Sequence, residues 1–170
     1  MKMLFLHGLE SKLNDEKRAM LEKYGDVSAP DLDYSNNSSI IKTLYDKYET
    51  EGFDAIVGSS MGGFTGFYLA SQLGIPALLF NPALAYRSVV QDVPQQIQPF
   101  AQPLHIVLGK LDPIVKFSDT KDFLRQYNIE HDVTVRLRDD LEHRIPAPIF
   151  EQEIETFFQV LQKNELEGAK

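Results

Sequence analysis

Between Asp54 and Phe64 the chain passes from an apolar run, Ala55-Ile56-Val57, through Gly58-Ser59-Ser60-Met61-Gly62 into residues at helical spacing, with no loop between. A strand that becomes a helix within five residues must turn a sharp, strained corner, and glycines on both flanks permit the close chain approach this requires. Such a corner pushes the Ser60 hydroxyl clear of the sheet, so Ser60 is the predicted nucleophile. The helix that starts there aims its first amides and the positive end of its dipole at a reacting carbonyl, which predicts Met61 N–H as an oxyanion donor. A phosphate-binding Walker loop would need Gly-Lys-Ser/Thr, which this segment lacks.

The remaining chain repeats the strand-then-helix theme. Short runs rich in Val, Ile, Leu and Phe predict strands at Lys2 to Leu6, Asp26 to Ala29, Ala55 to Gly58, Ala77 to Phe80, His105 to Leu108 and Val133 to Leu137. Helical periodicity falls between them, near Asn14 to Lys23, Ser39 to Glu51, Met61 to Leu73, Ser88 to Ile97, Phe117 to Tyr127 and Ile149 to Asn164. Ser38 or Ser39 is the expected N-cap of the second helix, and the tail from Lys163 to Lys170 is expected to fray. Alternation of this kind predicts a three-layer α/β/α sandwich around a six-stranded parallel sheet, in one domain over residues 1–170. Pro94, Pro99 and Pro103 make Tyr86 to Pro103 the least regular stretch, too short for more than a small cap.

Composition narrows the chemistry. The net charge of −8 repels phosphate backbones and anionic lipid surfaces, so neither nucleic acid nor a membrane is an expected partner. No apolar run approaches the roughly 18–20 residues of a membrane span, and a cytoplasmic address is expected. With no cysteine, disulfides, thiolate metal sites and a cysteine nucleophile are excluded. The four histidines show no zinc spacing, and neither a metal nor a cofactor is expected.

A serine nucleophile needs a base, and a carboxylate to orient that base. His143 follows the last strand and can return to the carboxyl edge of the sheet, whereas His131 precedes that strand and His105 opens its own at the opposite edge. Asp112, on the turn after Ile106-Val107-Leu108-Gly109, is the predicted acid; Asp139, Asp140 and Glu142 read more simply as a solvated loop. The order Ser, Asp, His is that of α/β-hydrolases rather than of chymotrypsin or subtilisin. A second oxyanion donor should follow the strand Leu4-Phe5-Leu6, where Leu9 N–H is best placed and His7 braces the loop. Asn81, Tyr86, Ile114 and Val115 are expected to line a small acyl pocket, and Arg144 to meet an anionic group or a surface partner.

Taken together, Phe5-Leu6-His7-Gly8, Gly58-Ser59-Ser60-Met61-Gly62-Gly63-Phe64, Phe80-Asn81-Pro82-Ala83 and Glu142-His143-Arg144 resemble the small YqiA-like esterases of the α/β-hydrolase superfamily. The resemblance spans Met3 to about Phe158. It implies a minimal hydrolase fold with strand order 2-1-3-4-5-6, little or no cap, and Ser60, Asp112 and His143 as catalytic residues. It also implies hydrolysis of short acyl esters, with acyl-CoA thioesters as an alternative. A small peptidase would use the same triad, and a binding protein without catalysis would keep the same scaffold.

Overall fold

The computed structural model describes residues 1–168; Ala169 and Lys170, the end of the tail expected to fray, lie outside the described residues. Six strands form one parallel sheet: β1 (Lys2–Leu6), β2 (Asp26–Ser28), β3 (Ala55–Ser59), β4 (Ala77–Phe80), β5 (Leu104–Gly109) and β6 (Thr134–Arg138). Their order is β2-β1-β3-β4-β5-β6. Reversal of direction across the sheet falls between β1 and β3, whose registers pair Leu6 with Gly58. A crevice therefore opens beyond the carboxyl ends of these two strands.

Period-two alternation decides what each face buries. Leu4, Leu6, Ile56, Leu79, Ile106 and Leu108 point to one side and form a core with α2 (Ile40–Tyr48), α3 (Met61–Leu73) and α4 (Phe117–Gln126). Met3, Phe5, Ala55, Val57, Leu78, Phe80 and Val107 point to the other, against α1 (Asp15–Glu22) and α5 (Ala147–Gly168). The α5 stripe Ile154, Phe157, Phe158 and Leu161 is buried as its spacing requires. No described helix is long and apolar enough to cross a membrane.

Three local expectations are corrected. Ser88 to Ile97 is not helical; β4 and β5 are joined by an irregular segment. It is tied to distant groups instead: Gln91 Nε2 donates to the carbonyls of Tyr34 and Asn37 at 2.8 and 3.1 Å, and Ser71 Oγ donates to Gln98 O at 2.8 Å. Ser39 does occupy the N-cap of α2 but makes no capping bond, because its hydroxyl and that of Ser38 both donate to Asp92 Oδ2, at 2.6 and 2.9 Å. The carboxylate of the irregular segment thus competes successfully for the cap. Residues Lys163 to Gly168 continue α5 rather than fray.

Candidate active site

Ser60 stands at the β3–α3 corner with φ 54° and ψ −115°, a left-sided conformation that costs a non-glycine residue about 1–3 kcal/mol. The corner is held from three directions. Ser60 N–H donates to Phe80 O at 3.0 Å, while Ser60 O accepts from Phe64 N–H at 2.9 Å and Ala83 N–H at 3.1 Å. Gly62 is required here: a Cβ would strike the Leu6 and His7 carbonyls. Gly58 is equally constrained, since a Cβ there would meet the Gly62 carbonyl.

Asp112 and His143 come together although 31 residues separate them. His143 Nδ1 lies 2.8 Å from Asp112 Oδ2, and the other carboxylate oxygen accepts the Ile114 and Val115 amides at 2.8 and 2.9 Å. The Asp112 side chain is fully buried, whereas the imidazole is 21% exposed. A carboxylate at Nδ1 accepts a hydrogen bond from that ring N–H and so leaves the lone pair on Nε2, the arrangement a general base needs. Ser60 and His143 line one cleft of about 740 Å³, though among the described residues no hydrogen bond joins them. His105 and His131 lie elsewhere: the first packs against Phe157 and the second is exposed beside Glu130. Asp139 and Asp140 pair with Lys110 and Arg138.

The loop after β1 supplies the opposite wall. Leu32 N–H donates to His7 Nε2 at 2.9 Å, so the ring proton sits on Nδ1 and is donated to Gly8 O at 2.7 Å. That contact fixes the planar Gly8–Leu9 peptide, and with it the direction of Leu9 N–H, which points opposite to the carbonyl. Tyr34 Oη donates to His7 O at 2.8 Å and braces the same loop from below. Both Leu9 and Met61 border the cleft, and among the described residues neither of their N–H groups makes a hydrogen bond. Gly8 lies against Ser60: a Cβ placed on it would sit 3.3 Å from Ser60 Cβ.

Of the residues expected to line the acyl pocket, Tyr86, Ile114 and Val115 border the cleft, as does Arg144. Asn81 does not. It is fully buried at φ 41°, with Oδ1 accepting Gly109 N–H at 2.8 Å and Nδ2 donating to Glu142 O at 2.9 Å. Its amide is a strut between the loop that carries Asp112 and the loop that carries His143. A sequence-level signal existed in asparagine's tolerance of positive φ immediately after a strand, but the partners of the amide are distant in sequence.

Three cationic residues of the cleft carry no site expectation from the sequence: Lys12, Lys17 and Arg87. Lys17 is half-buried over the Phe150 ring, 5.1 Å from its centroid, and burial pushes its ammonium below the usual lysine range, with Glu16 opposing the shift. Arg87 stacks on Phe64 at 4.3 Å and donates from Nη1 to Leu84 O at 3.1 Å.

Residues 2–108 match the model of a family described as "Uncharacterised protein family (UPF0227)". No curated protein matches the chain. Among solved structures, mouse alpha/beta hydrolase domain-containing protein 10 is similar at 16% identity, TM-score 0.70, over 95% of this chain and 90% of that one. Arabidopsis thaliana SOBER1 is similar at 17% identity, TM-score 0.66, over 93% and 99%. A monoacylglycerol lipase from Paleococcus ferrophilus gives 14% identity, TM-score 0.68, over 95% and 94%. These likenesses show the α/β-hydrolase fold.

Proposed function

The chain belongs to UPF0227, the YqiA-like family, and on that premise we propose that it is a serine hydrolase that cleaves short-chain acyl esters through Ser60, Asp112 and His143. The observation that carries this reading is the 2.8 Å contact between His143 Nδ1 and a buried Asp112, beside a cleft that also holds a strained Ser60. Strain of this kind is retained where a side chain must be presented rather than packed.

In the proposed reaction Ser60 Oγ bonds to the acyl carbon as its proton passes to His143 Nε2. The carbonyl electron pair becomes an oxyanion received by the Leu9 and Met61 amides. Collapse breaks the bond to the alcohol oxygen, which leaves with the proton from the imidazolium. Water then adds to the acyl-serine by the same proton path and frees the acid. Asp112 keeps the imidazole in its working tautomer. The open cleft, rimmed by exposed Tyr86 and Ile114, suits compact acyl groups. Lipase and hydrolase names among proteins of the same fold agree with this class of reaction.

Fluorophosphonate labelling combined with a p-nitrophenyl ester panel tests the reading. The wild-type chain is expected to label at Ser60, to show a burst of p-nitrophenol, and to prefer short acyl chains. Ser60→Ala and His143→Ala are expected to lose about 10³–10⁶ in turnover. Labelling that persists in Ser60→Ala ends the nucleophile assignment.

A further inference from the structure

The chain carries a net charge of −8, yet the charged groups around the cleft, besides His143, are Lys12, Lys17, Arg87 and Arg144 against one carboxylate, Glu10. Lys12 is neutralised by Asp31 at 3.0 Å. Among the described residues the other three make no ion pair; outside the cleft Lys2, Lys23, Lys42 and Lys110 each have one, while Lys47, Lys116 and Lys121 have none. The sign of charge is therefore inverted at the place where substrate would enter.

Lys17 is placed against local preference. It occupies the first turn of α1, where its own N–H is capped by Asn14 Oδ1 at 2.9 Å and where Asp15 and Glu16 suit the helix dipole. A cation in that turn opposes the dipole. It is also partly desolvated over Phe150, a residue only 1% exposed. The Phe150 ring and the neighbouring Glu16 charge offset these costs in part, but among the described residues no ion pair does, and departures from local preference concentrate at functional sites. Arg87 is likewise held in place from behind, by the Phe64 ring and the Leu84 carbonyl, and its Nε is buried without a partner. Arg144 directly follows the proposed base and is exposed. The three cations arrive from α1, from the segment after β4 and from the loop after β6, and converge on one cavity.

We propose that the cleft takes esters whose non-reacting part carries an anionic group, a carboxylate or a phosphate, with Lys17, Arg87 and Arg144 as its counter-charges. The proposal rests on the serine-hydrolase reading for the reaction but not for the binding. An arginine fork matches either anion in two-point contact, and a half-buried ammonium adds a point charge. Such a substrate also relieves the dipole conflict at Lys17.

Turnover is measured by pH-stat for monomethyl adipate against dimethyl adipate, and for 2-acetoxyethyl phosphate against 2-methoxyethyl acetate. In the wild type at least one anionic ester is expected to exceed its neutral partner about 10- to 100-fold in kcat/KM, mainly through KM, and to lose that advantage in 0.5 M NaCl. Which pair responds identifies the anion. Lys17→Met and Arg144→Gln are each expected to reduce the anionic-to-neutral ratio about tenfold. Equal, measurable rates within both pairs, or variants that leave a measurable ratio unchanged, overturn the proposal. Calorimetric titration of Ser60→Ala with monomethyl adipate and with 2-acetoxyethyl phosphate reads binding without turnover. Binding of at least one, weakened by Lys17→Met, upholds the subsite even if the chain hydrolyses none of the esters; no binding of either refutes it independently of the triad.

Discussion

Replacing Asn81 by alanine removes a side chain that never touches the cleft, yet it is expected to damage both stability and turnover. The carboxamide satisfies a buried Gly109 N–H at 2.8 Å and the Glu142 carbonyl at 2.9 Å. Orphaning the Gly109 amide costs about 1–3 kcal/mol; the Glu142 carbonyl belongs to an exposed residue and regains water, so its loss falls at the low end. The φ of 41° adds about 1–2 kcal/mol for alanine, which lacks asparagine's ease in that region. The sum is about 3–6 kcal/mol, or roughly 6–24 °C in Tm for a chain of this size. Calorimetric unfolding and ester turnover on the same samples measure both effects. Asn81→Gly loses both hydrogen bonds but not the backbone fit, and is expected to recover about 1–2 kcal/mol relative to alanine. Asn81→Asp keeps the acceptor for Gly109 while aiming an oxygen at the Glu142 carbonyl, so kcat is expected to fall more than KM rises as the His143 loop loosens. An Asn81→Ala protein that melts within about 2 °C of wild type, with kcat within twofold, would refute the strut.

Other outcomes follow from the same geometry. Ser60→Gly relaxes the strained corner whereas Ser60→Ala preserves it, so the glycine variant is expected to melt about 2–12 °C above the alanine variant; equal melting points would show the corner to be unstrained. His7→Phe frees the Gly8–Leu9 peptide and is expected to lower kcat by about 10²–10³, the loss of one oxyanion donor, while fluorophosphonate still labels Ser60; unchanged kcat removes His7 from that role. Burial, aided by Arg136, lowers the His105 pKa, so the unfolded chain binds the proton more readily. Stability from this group is intact above about pH 6.5 and declines as pH falls from there toward the folded value. His105→Gln should flatten melting temperature between pH 7.5 and 5.5 relative to wild type, and parallel curves would contradict the assignment.

Local pattern made much of this protein legible. Period-two and helical spacing, read over windows of a few residues, located all six strands and all five helices of the described residues, because burial on one or both faces imposes those periods directly on the chain. The Ser60 corner was equally readable, since glycines 58 and 62 are demanded by carbonyls a few residues away or on the neighbouring strand. The segment after β4 misled for a physical reason: its apolar residues have helical spacing, but Gln91, Asp92 and Gln98 bind groups on the loop after β2, at the N-cap of α2 and on α3 that the sequence does not place. Asn81 misled in the same way, as a polar residue after a strand that turned out to face inward.

What the sequence determined by itself is therefore the parallel α/β class, the element types and the serine presented at a strand-to-helix turn, all products of short-range sterics and burial. Tertiary structure alone decided that Asp112 meets His143, that Asn81 ties their loops together, and that Lys17, Arg87 and Arg144 surround one cleft in an acidic chain. Those relations join residues from different strands and helices. They exist only because parallel register carries the carboxyl ends of β1, β3, β5 and β6 to a common edge, a long-range condition that no window along the chain contains.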